Sequence, residues 1–151
     1  FNLHAEGEAE AIVDSGRWII HFNELREDRY NYNTFRNMDV DLNFLRVEGD
    51  TCTLQIVKRG AQKIEMPGRD VAMVKHHYIE FPNEPGLGGT VIQRKLLDLK
   101  KTHKRKGALQ IDFQLDNLHT KVRINISADN TWSTISVSGF ARMRGGGVER
   151  L

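Results

Sequence analysis

Five fixed positive charges, Lys100, Lys101, Lys104, Arg105 and Lys106, fall within seven residues, with His103 among them. A run of this density can neutralise phosphates or other anions, with a steep dependence on salt. Base recognition also needs aromatic side chains on which bases stack, and none interleaves this run. The run lies between two extended segments and ends at Gly107, so it reads as a hairpin tip whose charges project into water. Tyr30 and Tyr32 form a second contact candidate, since aromatic residues in a polar stretch suit a recognition surface. Tyr30, Tyr32, Lys100, Lys101, Lys104, Arg105 and Lys106 are therefore the candidate partner-contact residues.

The other reactive types lack a frame. Ser15 and Ser138 each precede a glycine, but neither sits in the Gly-x-Ser-x-Gly turn that strains a nucleophile. Cys52 alternates with Leu54 and Ile56 and reads as a buried, inert thiol. The loop Gly86-Leu87-Gly88-Gly89 lacks the lysine and helix start of a phosphate loop and runs into Thr90-Val91-Ile92. Asp39, Asp41 and Asn43 open like a calcium loop, yet Phe44 takes the glycine position, so they read as the solvent face of an extended segment. His76 and His77 point to opposite faces of a strand and cannot share a metal ion. A hydrolase would need a convergent acid, base or nucleophile, and no motif proposes one. The reading assigns no catalytic residue, no metal ligand and no cofactor.

The elements that would position these residues follow from periodicity. The chain has 151 residues, 39% of them hydrophobic and 28% charged, with one cysteine and a net charge of +2. That suits one domain, spanning 1–151, without an internal disulfide, and it falls short of a general nucleic-acid footprint. No stretch approaches a transmembrane helix. Ala5, Ala9, Ile12 and Val13 predict a helix over 4–15, which Gly16 ends. After Gly16 the period becomes two: Trp18, Ile20 and Phe22 share one face.

Residues 24–37 read as a long loop, 42–47 and 51–57 as a hairpin about Gly49-Asp50, and 58–70 as mostly loop. Strands are expected at 71–81 and 90–101, with a loop at 82–89 between them. Leu109, Ile111 and Phe113, then Val122, Ile124 and Ile126, alternate with Gln110, Asp112, Lys121 and Arg123, which predicts a meander with one wet face. Turns at Asp116-Asn117 and Asp129-Asn130 separate its strands, and the last strand covers 131–138. The predicted fold is mainly β: a single antiparallel, curved domain, barrel-like or a sandwich, of about seven to nine strands over 17–144 with a short N-terminal helix.

Ser15-Gly16-Arg17-Trp18, the segment Asn43–Asp50, a Gly-Gly loop, the basic turn Lys104-Arg105-Lys106-Gly107 and the strand ending Val137-Ser138-Gly139 occur in a characteristic order. In this order the chain resembles a family of small exported proteins and lipoproteins of Bacteroidetes bacteria known as domain of unknown function 4251. The resemblance spans roughly residues 9–145 and departs in the Tyr/Asn-rich segment 26–38 and at Glu84-Pro85. It implies no catalytic residues. It implies export to the periplasm, the outer membrane as a lipoprotein, or the cell exterior, with a leader or lipid-anchoring segment removed before Phe1.

The resulting expectation is a non-catalytic envelope binding domain with a protein or glycan partner, recognised by loops on a rigid sheet. The alternative is a polyanion binder acting through 100–106, its ligand an acidic glycan or, less in keeping with the charge balance, a nucleic acid; the second alternative is a small hydrolase whose site no motif reveals. A continuous basic face joining that segment to Lys121, Arg123, Arg142 and Arg144 would favour the alternative.

Overall fold

The structure is a computed structural model that describes residues 7–27, 34–58, 61–66, 69–74, 77–78, 91–117 and 120–151. One short helix, α1 (Glu8–Asp14), precedes the strands β1 (Arg17–Glu27), β2 (Thr34–Phe35), β3 (Phe44–Glu48) and β4 (Thr51–Gln55). The short β5 (Val57–Lys58) and β8 (His77–Tyr78) pair with each other, and β6 (Ala61–Met66) and β7 (Arg69–Val74) form a separate hairpin. Then follow β9 (Val91–His103), β10 (Leu109–Leu115), β11 (Lys121–Ile126), β12 (Ser133–Val137) and β13 (Ala141–Arg150).

Among the described residues, β13-β12-β11-β10-β9-β4-β3-β1 pair antiparallel in that order, and a β13–β1 ladder closes them into an eight-stranded barrel. β2 is the extra strand, lying beside the far end of β1, where Leu25 meets Phe35. The predicted mainly β, barrel-like architecture with an N-terminal helix is the one observed.

Alternation fills the barrel. Trp18, Ile20 and Phe22 of β1 are fully buried, and the register sets Trp18 opposite Val47 and Val47 opposite Cys52 as one inward row. Leu109, Ile111, Phe113, Val122, Ile124 and Ile126 are all in the core, as their period of two predicts. The interior of an eight-stranded barrel is narrow enough for such side chains to occupy it. Gln110 departs from the expected solvent face. Only 7% exposed, it lies between Thr102 and Asn125 on the neighbouring strands, and its amide donates to Asp112 at 2.8 Å. Flanking side chains on central strands can bury an outward residue that a period of two assigns to water.

Several boundaries differ from those the sequence suggests. The helix begins at Glu8; residues 1–6 lie outside the described ones. The expected loop 24–37 instead holds the end of β1 and all of β2, because β13 and β2 supply ladder partners to a charged stretch without clean alternation. The expected loop 58–70 carries β6 and the start of β7, because the two segments supply each other's ladder partners. The expected strand 71–81 is represented by β7, ending at Val74, and by β8; the loop 82–89 lies outside the described residues.

The strand region does not stop at 144: β13 runs to Arg150 through Gly145-Gly146-Gly147, a run that reads locally as a breaker. Glycine inside a strand marks a close backbone approach. A Cβ at Gly145 would overlap the His21 carbonyl and the Phe22 backbone, and one at Gly147 would overlap Asn130. Asn130 in turn clasps β13: its side chain donates to Val148 O at 3.0 Å and accepts from Val148 N at 2.8 Å.

Helix α1 spans one mouth of the barrel. Its buried side, Ala9, Ile12 and Val13, joins the core and touches β13 and β1. Its acidic side reaches β9 across the mouth, four strands from β13 in the order of pairing. Gly16, at φ +75°, ends it as expected.

Candidate functional site

The basic run is divided by the strand that carries it. Lys101 lies opposite the buried Ile111, on the inner side of β9, where it meets the helix. Its ammonium donates to Asp14 Oδ1 at 2.5 Å and lies 3.6 Å from Glu10 Oε2; His103 Nε2 contacts the same Glu10 oxygen at 2.5 Å. The hydrogen bond to Asp14 holds the Lys101 ammonium above the ordinary lysine value, with desolvation opposing it. The expectation that all five charges project into water therefore fails at Lys101, because strand alternation turns it toward the helix acids. Lys100, Lys104, Arg105 and Lys106 are exposed, the last three at a 3₁₀ turn over Arg105–Gly107. Tyr30 and Tyr32 lie outside the described residues.

A different cationic surface emerges from register. Directly opposed residues share a face of a sheet. One outward row crosses seven strands: Lys100, Asp112, Arg123, Ser136, Arg142, Arg26 and Thr34, each opposite the next. The next row runs Gln110, Asn125, Thr134, Arg144 and Glu24. The two rows contain the cations Lys100, Arg123, Arg142, Arg26 and Arg144 against the acids Asp112 and Glu24. Both acids are engaged: Arg123 Nε donates to Asp112 at 2.7 Å, and Arg36 Nε to Glu24 at 3.1 Å. Burial opposes ionisation of Asp112, but hydrogen bonds from Arg123 and Gln110 outweigh it and hold the carboxyl below its ordinary value.

Where β12, β13, β1 and β2 run side by side, the rows border a groove of about 580 Å³. Arg26, Arg36, Arg142 and Arg144 line it, with Glu24 the one acid among the described lining residues. Thr34, Thr134 and Ser136 add hydroxyls. The groove can grip a planar anion by paired N–H donors and hold neutral hydroxyls beside it. Sequence reasoning named Arg123, Arg142 and Arg144 only as extensions of the 100–106 run and missed Arg26 and Arg36. The signal was the every-second-residue spacing of Arg142 and Arg144, which places both on one face of a strand.

Asp39, Asp41, Asn43, Ser138 and Cys52 serve the structure, whereas His76 and the loop Gly86-Leu87-Gly88-Gly89 lie outside the described residues. Asn43, fully buried, donates to Asp39 O at 2.8 Å and Val57 O at 3.0 Å and accepts from Val57 N at 2.8 Å. Asp39 accepts from the Asp41 amide at 2.9 Å, so Asp39, Asp41 and Asn43 shape a turn and a strand clasp rather than an extended solvent face. Ser138 accepts from Lys121 N at 3.1 Å. Burial pushes the Cys52 thiol up to about 12, so it stays protonated and unreactive at neutral pH. Among the described residues no three His, Cys, Asp or Glu side chains converge as metal ligands, and no helix is long and apolar enough to cross a membrane.

No family model and no curated protein matches the chain. Among solved structures, it is similar to the crystal structure of a DUF4251 family protein from Bacteroides eggerthii DSM 20697. The TM-score is 0.59 at 15% identity, covering 95% of this chain and 85% of that one. The two chains share a fold.

Proposed function

We propose that this chain is a non-catalytic binding domain of the bacterial cell envelope, related to the domain of unknown function 4251 family, and that its partner is anionic. The observation that carries the anionic partner is the pair of outward rows, in which five cations from four strands stand with two acids. The shared fold with a Bacteroides protein supports the relationship, and the earlier resemblance implies export. A rigid closed barrel suits recognition, because it holds long side chains at fixed spacing on a surface that does not rearrange. Lys100 belongs to this surface. Lys104, Arg105 and Lys106 add charge at the barrel mouth, whereas Lys101 is committed to the helix. Tyr30 and Tyr32 stay in the proposal as further contact residues from the segment leading to β2.

The test is chromatography of the full chain on immobilised heparin, immobilised polygalacturonate and neutral dextran. Retention is expected on both anionic matrices at about 50 mM salt and should fall steeply toward 200 mM. The dextran should not retain the protein. Passage through all three columns at low salt refutes the anionic partner.

A further inference from the structure

Arg26 and Arg142 stand directly opposite one another on the barrel exterior. Directly opposed residues have Cβ atoms about 5 Å apart, so both guanidinium groups can reach one bound anionic group. Arg144 lies on the same face of β13, two residues along from Arg142 and opposite Glu24. We infer that the groove over β12, β13, β1 and β2 binds an acidic oligosaccharide, with Arg26, Arg142 and Arg144 holding the carboxylate or sulfate of a sugar unit; this rests on the anionic-partner reading above.

The chemistry of the lining selects the class. Planar guanidinium forks match the oxygens of a carboxylate or sulfate by two parallel hydrogen bonds, which a lysine point charge does not. Each of the three arginines has a hydroxyl neighbour across the ladder: Ser136 opposite Arg142, Thr134 opposite Arg144, Thr34 opposite Arg26. An acidic sugar presents that mixture, one anionic group among neutral hydroxyls a few ångströms away. Glu24, fixed by Arg36, adds an acceptor suited to sugar hydroxyls.

The test is titration calorimetry of the full chain with an oligogalacturonate, a heparin-derived oligosaccharide and an oligothymidylate. Binding of at least one of the two glycans is expected, and which one distinguishes carboxylate from sulfate. The double variant R142Q/R144Q should weaken that binding about ten- to hundredfold, the loss expected for charged hydrogen bonds. Thermal melting checks that the double variant is folded, and Arg144→Gln alone, at an exposed position, serves if it is not. Replacing Lys104, Arg105 and Lys106 by glutamine should weaken glycan binding less than R142Q/R144Q does. Thr134→Val should weaken the glycan while leaving the salt slope unchanged, a separation that a purely electrostatic patch would not show.

Polyanion binding lost in the Lys104/Arg105/Lys106 variant but kept in R142Q/R144Q would overturn the groove and leave the anionic partner standing. Oligothymidylate binding as tight as the glycan's and lost in R142Q/R144Q would overturn the glycan class. Failure of every polyanion to bind would overturn both readings.

Discussion

Asp112 shows how a single residue on the cationic face is fixed. Arg123 donates to one of its oxygens and Gln110 to the other, while Lys100 lies opposite on β9. These partners lower its carboxyl value in the folded chain against the opposing effect of burial. The sign follows: a depressed folded value contributes stability that is present above the ordinary carboxylate value and lost as pH falls through the folded one. Thermal melting of the native protein should therefore lose stability between about pH 5 and pH 2, and Asp112→Asn should lose measurably less over that window. Equal acid limbs for the two proteins would show that Asp112 gains nothing from Arg123. At neutral pH Asp112→Asn also removes a negative charge from the face, which should strengthen rather than weaken retention on heparin.

At the scale of elements, helix α1 is too short to be stable alone, and the barrel mouth holds it by two means. Ile12 and Val13 enter the core, and Glu10 and Asp14 reach Lys101 and His103. The apolar contact should dominate. Ile12→Ala is expected to cost about 2–4 kcal/mol, by lost burial and the cavity left behind, with little dependence on salt. Lys101→Gln breaks a partly exposed, solvent-screened pair and should cost no more than about 1 kcal/mol, shrinking as salt rises. The raised Lys101 value places its contribution below the ordinary lysine range, to be lost only as pH climbs through the folded value. Denaturant melts of the two variants at low and high salt separate these terms, and a larger loss for Lys101→Gln would mean that ion pairing rather than burial holds the helix.

The whole molecule depends on closure between its first and last long strands. Gly145 lies opposite Phe22, where the β1–β13 register shifts, and the backbones come too close for a side chain. Gly145→Ala is expected to cost about 3 kcal/mol or more, since the atoms it meets are backbone and cannot swing aside. Gly146→Ala has open space around its Cβ and should stay within about 0.5 kcal/mol. Urea denaturation of both proteins checks the contrast, and equal stabilities would mean that β13 can shift away from β1 without loss.

Periodicity alone determined most of the strands, the inward faces of β1, β10 and β11, the turns about Gly49, Asn117 and Asn130, and the end of the helix at Gly16. Burial alternates with the backbone's own period, and turn residues act over a few positions, so these features are written locally. Tertiary structure alone decided that the triple-glycine segment runs on as a strand past its pairing with Ser133 of β12, since the ladder that carries it to Arg150 lies more than a hundred residues away in β1. It also turned Lys101 toward Asp14, 87 residues distant, and separated it from the exposed remainder of the basic run. The arginine groove has the same origin. Arg26 is set beside Arg142 by the register of β1 against β13, a quantity that depends on closing the whole barrel and that no local pattern encodes.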